Sequence, residues 1–372
     1  MLGCVDAEIE TSAARINGHG ERSLACYKCC MSTEQAPPTL EHVAKVAGVS
    51  RATVSRVVNG IRNVDPELRE VVERAIEQTG YVPNRAARSL VTRRTGAVAL
   101  VVSEPTTHTD AFPGGVFADP FFGRVVSGVL RVLGPMDVNP VLMLVDSEKA
   151  RRQLMNRLGQ DRFDGVLLIS IDPRDVLPAQ LTMAKVPTVM FARPVRSIPI
   201  SYVDVAHQDG ARMAADHLVA RGCKQVATIS GPLDTPAGQD RLAGFRTAMA
   251  RHGQAYVPSA EGDFTQTGGE RATEMLLGAK FDGLFVANDV MAIGALEVLR
   301  KHGKRVPEDV AVIGFDDSGA ALSCRPQLTT IRQPVEDMAA EMARLVVGHI
   351  GDKGRDVTSV IFEPTLVTRE SA

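Results

Sequence analysis

The sequence predicts an α/β protein in which a small helical module precedes a large body built on two parallel sheets. Three observations carry this prediction. Residues 1–38, 39–94 and 95–372 hold formal charges of −2, +4 and −4 within an overall −2. A basic module in front of a slightly acidic body implies a polyanionic partner for the module alone. Between Thr39 and Gly80 the apolar residues follow a helical period broken by a glycine turn, and from Gly96 onward apolar strands alternate with helical stretches in two runs. A chain of 372 residues with 44% hydrophobic and 23% charged content is globular in composition and long enough for two or three domains.

Residues 1–38 read as a poorly ordered leader. Cys4, Cys26, Cys29 and Cys30 lie there with His19, but they lack the second correctly spaced pair of a zinc site. No metal and no cofactor are expected. "MSTEQAPP", from Met31, reads as an ordinary start for a cytoplasmic protein, and translation is expected to begin there. The first thirty residues lack the apolar core of a signal peptide, and no run approaches the roughly 18 apolar residues that span a membrane. The expected location is the cytoplasm.

Residues 39–83 form the expected DNA-binding module. Thr39 caps a first helix with Leu40, Val43, Ala44 and Val46 as its apolar positions. Gly48 permits the turn, and Ser50 caps a second helix whose buried stripe is Val54, Val57 and Val58. Arg51, Ala52, Ser55 and Arg56 are left facing outward, the pattern of a helix-turn-helix whose second helix enters the major groove. Asp65 caps a third helix, Pro66 opens it and Gly80 closes it. A plain three-helix bundle with a solvated basic face would show the same spacing.

Residues 84–94 form a hinge. After Pro83, the segment Asn84 to Leu90 predicts about two helical turns, too short to hold a helix alone in water, with Leu90 among arginines. "TLEHVAKVAGVSRATVSRVVNG" and "YVPNRAARSL" resemble the headpiece and hinge of the lac repressor (LacI) family of bacterial transcription regulators, and the resemblance runs over about residues 39–371. It implies base reading by Arg51, Ala52 and Arg56, with Thr39, Ser50, Thr53, Ser55, Asn59 and Tyr81 gripping the backbone or supporting the helix. Arginine suits guanine because its fork meets two acceptors in the major groove. It also implies a hinge helix that orders on DNA and wedges Leu90 into the minor groove at a pyrimidine–purine step.

Residues 95–372 form the expected effector and dimerisation domain. "AVALVVS", "PVLMLVD", "DGVLLIS" and "VPTVMF" are strands of a first lobe; "QVATISG", "DGLFVAN" and "DVAVIGF" are strands of a second. In such sheets ligands bind beyond the carboxyl ends of the strands. Phe121 and Phe122 follow the first strand, although core packing explains them equally well. Arg193, Arg241, Phe264, Asn288, Asp289, Asp316 and Asp317 also lie near strand ends, and a surface salt bridge would account for Arg241. The resemblance implies two lobes like those of periplasmic sugar-binding proteins, about 95–193 with 334–361 and about 194–333 with 362–372. Phe121, Phe122, Arg193, Arg241, Phe264, Asn288 and Asp316 fall on its effector-contacting positions. Aromatic faces with Arg, Asn and Asp suit a polyol, so a sugar is the expected effector, releasing a repressor from a palindromic operator.

Three departures stand out. Thr235 replaces an arginine expected of a purine-responsive member, the loop Glu104 to Ala118 is long, and Ala206-His207 replace an Asp-Asn pair. His207 reads as a surface histidine, with a contact to the cleft as the alternative. No heptad repeat follows the last strand-like segment, so a homodimer is expected, matching a two-fold operator. The rival reading is a sugar-binding or sugar-processing protein with an accessory headpiece, Asp316 and Asp317 serving as an acid/base pair. The sequence contains no G-x-S-x-G, H-E-x-x-H or P-loop motif to support catalysis, and no enzyme activity is expected.

Overall fold

The computed structural model describes residues 38–60, 64–82, 94–103, 120–160, 162–170, 172–352, 354 and 356–372. Leu90 with nearly all of the hinge, the cysteine-bearing leader and the long loop after the first strand lie outside the described residues. The chain divides into two compact units, Met1–Pro83 and Asn84–Ala372.

In the first unit, α1 (Leu40–Ala47), α2 (Arg51–Val58) and α3 (Pro66–Thr79) start where side-chain oxygens satisfy free backbone N–H groups. His42 N–H donates to the Thr39 hydroxyl at 3.3 Å, Thr53 N–H to Ser50 at 3.1 Å and Glu67 N–H to Asp65 at 2.9 Å. Gly48 and Gly80 end α1 and α3 at φ 66° and 63°, in the left-handed region that glycine enters without strain. The core is Val43, Ala44, Val54, Val72 and Ala75, with Leu40, Ala47, Val57, Val58 and Tyr81 packed around it. Val46, expected inside, is 45% exposed. At about 100° per residue, positions 40, 43, 44 and 47 share one stripe and position 46 lies about 110° away from its centre. Ala47 takes the expected place.

The second unit holds two six-stranded sheets. The first has the order β11-β5-β4-β3-β1-β2, and every described pairing in it is parallel. Its strands are β1 (Ala97–Ser103), β2 (Asn139–Val145), β3 (Gly165–Ser170), β4 (Thr188–Phe191), β5 (Ser201–Val205) and β11 (Ser359–Phe362). Along β1, Val98, Leu100 and Val102 enter one core with α4 (Pro120–Leu133) and α12 (Val335–Gly351). Ala99 and Val101 enter the opposite core with α5 (Glu148–Gly159) and α6 (Leu177–Met183). This two-sided burial explains the nearly continuous apolar runs in the sequence.

The second sheet has the order β12-β10-β9-β8-β6-β7. Its strands are β6 (Val226–Ser230), β7 (Ser259–Glu261), β8 (Gly283–Val286), β9 (Ala311–Asp316), β10 (Thr329–Arg332) and β12 (Thr365–Val367). α7 (His207–Ala220) and α8 (Pro236–Arg251) cover one face, while α9 (Gln266–Leu276) and α10 (Asp289–Lys301) cover the other. β12 pairs antiparallel with β10, so this sheet is parallel except at one edge.

The expected lobe boundary after Arg193 is too early. β5 pairs with β4 and β11 in the first sheet, so the chain crosses between lobes after Val205. It crosses again between β10 and α12 and between β11 and β12. Among the described residues no helix is long and apolar enough to cross a membrane.

Candidate functional site

The headpiece presents its chemistry on the open side of α2. Arg51, Ala52 and Arg56 are exposed there, and the Arg51 Nε lies 2.9 Å from Glu41. Thr39 and Ser50 serve as caps; Thr53 shares a 2.9 Å hydroxyl contact with Ser50, and Ser55 accepts from the Asn59 amide at 3.2 Å. Tyr81 packs against the small core. The positive end of α2 and two arginine forks form a face suited to an anionic, acceptor-rich groove.

In the second unit, Arg241 is the centre of a buried polar cluster. Its place in α8 follows from a local cap: Thr235 accepts from Gly238 N–H at 3.2 Å, so the departure at this position is a helix start. Arg241 is 5% exposed. Its Nε donates to His207 Nδ1 at 3.2 Å, one Nη to the Ala287 carbonyl, and the other to Gln333 Oε1 at 3.2 Å. The guanidinium lies 3.6 Å from the Asp316 carboxylate and 3.7 Å from the centre of the Phe315 ring. A charge so deeply buried is tolerated because its donors have partners and its plane rests on an aromatic face.

His207 is buried rather than on the surface. Burial first, and the Arg241 charge second, hold it below the ordinary histidine range, against the opposing pull of Asp204. The ring is therefore neutral at pH 7, accepting from Arg241 through Nδ1 and donating through Nε2 to Asp204, 3.1 Å away. Burial works against the charge of Asp204, but hydrogen bonds from His207 and from the Val205 and Arg193 N–H groups keep its carboxyl below the usual value.

Phe264 and Asn288 meet just past the ends of β7 and β8. The Asn288 amide donates to the Phe264 carbonyl at 3.1 Å, and its oxygen accepts from Met291 N–H at 2.8 Å, capping α10. Phe264 has φ 65°, and its ring lies where a β-carbon on Gly231 would stand. Asp289, fully buried, is pushed up to about 8 by burial first and the Asp316 charge second. It bonds Thr330 at 2.6 Å and Ser318 N–H at 2.7 Å.

Asp316 and Asp317 part company. Both have positive φ, 111° and 52°, so consecutive side chains turn to different neighbours. Asp317 is clamped by Arg369 and by Arg332, the latter at 2.7 Å; burial opposes its charge, but the two arginines hold it below the usual range. A carboxylate locked this way is poorly placed for acid/base work beside Asp316.

Among the described residues the first lobe contributes fewer polar groups. Phe122 is 7% exposed and belongs to the core, as the packing alternative had it. Phe121 is half-buried, edge-on to both Phe122 and Phe191 at 5.2 and 5.1 Å. Arg193 reaches Asp240 of α8 at 2.6 Å, and Gln208 donates to the same carboxylate at 3.1 Å. Thus Arg241, Asp316, Asn288 and Phe264 sit together at the carboxyl ends of the second sheet, while Arg193 bridges the lobes. Sequence reasoning missed Asp204, Gln333, Arg124 and Glu336. Asp204 and Gln333 lie at the ends of β5 and β10, two strands that the sequence pattern did not reveal.

Comparison with known proteins matches this architecture. Residues 39–84 match the family model for bacterial regulatory proteins of the lacI family, and residues 215–372 match a periplasmic binding protein-like domain. The HTH-type transcriptional regulator CelR of Thermobifida fusca is 44% identical over 341 residues, 90% of this chain and 98% of that protein. The lactose operon repressor of Escherichia coli is 31% identical over 80% of each chain. Among solved structures, a CelR–cellobiose complex superposes with a TM-score of 0.70 at 42% identity, covering 90% of this chain and all of that one. The lac repressor dimer bound to operator and the anti-inducer ONPF superposes with a TM-score of 0.72 at 28% identity, covering 90% and 99%. With a headpiece read by one model, residues 215–372 of the body read by the other and a relative 44% identical along nearly its whole length, the chain belongs to the LacI family of bacterial regulatory proteins.

Proposed function

We propose that this protein is a sugar-responsive transcriptional repressor that binds a palindromic operator as a homodimer in the cytoplasm, with cellobiose or a similar β-linked glucose disaccharide as its effector. The observation that carries this reading is the cluster of Arg241, Asp316 and Asn288 beside Phe264, at the carboxyl ends of a parallel sheet. Charged and amide groups satisfy sugar hydroxyls, and aromatic faces cover the C–H surfaces between them. Phe121 supplies an aromatic edge from the first lobe, whereas Phe122 supports it from the core. The choice of cellobiose follows from the relative CelR, whose solved complex holds that sugar. In the headpiece, Arg51 and Arg56 read base edges, and Thr39, Ser50, Thr53, Ser55 and Asn59 hold the backbone. Residues 84–94 link the two functions, with Leu90 as the minor-groove wedge.

The test is a thermal-shift series with cellobiose, maltose, lactose and glucose, followed by operator titration with and without the binder. Cellobiose should raise the midpoint as a ligand of the folded state does and lower the affinity for operator. A midpoint unmoved by every sugar sinks the effector assignment. A bound sugar that strengthens operator binding reverses its sign.

A further inference from the structure

We propose that Arg124 is a positioning residue that ties the first lobe to Asp316 of the second and so couples the sugar site to the angle between the lobes. The inference rests on the reading of the cleft as the sugar site. Arg124 stands on the second turn of α4, next to the helix start that carries Phe121. Its Nε and one Nη form a bidentate pair with Glu336 at 2.7 and 2.8 Å. Glu336 opens α12, so this pair lies within the first lobe. The remaining donors leave that lobe: one Nη donates to the Asp316 carbonyl at 2.9 Å and the other to the Gln333 carbonyl at 3.0 Å. One guanidinium therefore joins a first-lobe helix, the crossover segment after β10 and the end of β9.

The geometry at Asp316 gives this tie its meaning. Its φ of 111° is costly for a residue with a side chain and persists only where the surroundings impose it. The carbonyl faces Arg124 while the carboxylate lies 3.6 Å from Arg241. A ligand that draws the carboxylate to its hydroxyls turns the same residue's peptide against Arg124. The strain then passes to α4 and α12, which cannot part. A β-carbon on Gly128 would collide with the Glu336 carbonyl and the Ala339 side chain, so the two helices touch backbone to backbone there. Planar, forked donors suit this role; a lysine ammonium can replace the charge but not the four aligned bonds.

Arg131 provides the matched control. It lies two turns along the same helix and bonds Asp337 at 2.6 Å and the Glu336 carbonyl at 3.2 Å, both in the first lobe. The experiment compares full-length wild type with Arg124→Lys and Arg131→Lys, using cellobiose and a palindromic duplex selected by the wild-type protein from a random pool. In Arg124→Lys the sugar-dependent change in operator affinity should shrink about tenfold, as expected for lost hydrogen bonds to a charged group. Without sugar, amide exchange at residues 316–318 should accelerate in Arg124→Lys alone. Arg131→Lys should match wild type in both measurements. Unchanged exchange and coupling in Arg124→Lys, or equal losses in both variants, overturns the proposal. If cellobiose fails to bind wild type, the sugar assignment fails separately, and the exchange measurement alone decides whether Arg124 holds Asp316.

Discussion

The headpiece and the ligand unit arrange their polar side chains in opposite ways. On α2 the arginines are exposed and held loosely; Arg51 has a solvated pair with Glu41, which is worth under about 1 kcal/mol. In the cleft, Arg241 and His207 are buried and already bonded to one another. On the function proposed above, the difference follows from what each surface meets. DNA brings a dense array of charge and acceptors, so a helix needs only to present donors on a rigid backbone. A neutral sugar brings little charge, so its site must be organised beforehand, with each buried group oriented by others.

The comparison breaks most sharply at Arg241. Arg241→Ala should leave Asp316, Gln333 and the Ala287 carbonyl without their buried partner, at a cost of about 3–5 kcal/mol. Thermal unfolding should show the loss in the second unit, and the sugar response should vanish. A stable variant that still responds at wild-type sugar concentrations would mean the cluster is not the site.

Val54→Ala makes the reciprocal cut. It opens a cavity in a core of five buried residues and should cost about 2 kcal/mol, a large part of what so small a unit possesses. Operator binding should fall while cellobiose affinity stays at the wild-type value; a matching loss in both would show that the two units do not fold independently. Smaller again, Arg56→Ala should cost about 1–3 kcal/mol at one operator position per half-site and leave binding to random DNA little changed. Equal losses on both DNAs would assign Arg56 to phosphate.

The smallest change is expected below about pH 4 from Asp289→Asn, which mimics the protonated acid. Because the folded-state value is raised to about 8 from an ordinary 3.8, the folded protein holds a proton that the unfolded chain releases. That stabilisation is complete below about pH 4 and is lost as pH rises toward 8. Asp204, Asp317 and Glu336 are shifted downward and contribute the opposite slope, so the informative quantity is the difference between variant and wild type. Urea unfolding from pH 5 to 8 should show stability declining less in Asp289→Asn. Parallel curves would place the proton elsewhere.

What could be read from the sequence follows the same division. Thr39, Ser50, Asp65, Gly48 and Gly80 act within three or four residues of themselves, so local pattern located the headpiece helices almost to the residue. The alternation of strands and helices showed two lobes, and strand ends pointed to Asn288 and Asp316, whereas Arg241, inside α8, came only from the family resemblance. β5 escaped notice because its membership of the first sheet depends on β11, more than 150 residues away. Arg124 looked like any helix arginine, since its partners are Asp316, Gln333 and Glu336, roughly 200 residues distant. His207 seemed superficial because nothing nearby in sequence announces that Arg241 will cover it.

The three crossovers between lobes also set an order of manufacture. β5 ends at Val205, but its edge partner β11 ends at Phe362, and α12, which covers one face of the same sheet, begins only at Val335. At about 5–20 residues per second, translation completes β11 roughly ten to thirty seconds after β5. During that interval the second lobe is being made while Val98, Leu100, Leu167 and Val203 lack one of the two helices that bury them. The headpiece, whose core closes within residues 40–81, needs nothing made later. A ribosome that stalls anywhere in this window therefore displays a finished DNA-binding module attached to a sheet with one face half-covered and one edge bare, a substrate for chaperones and proteases before it can become a repressor.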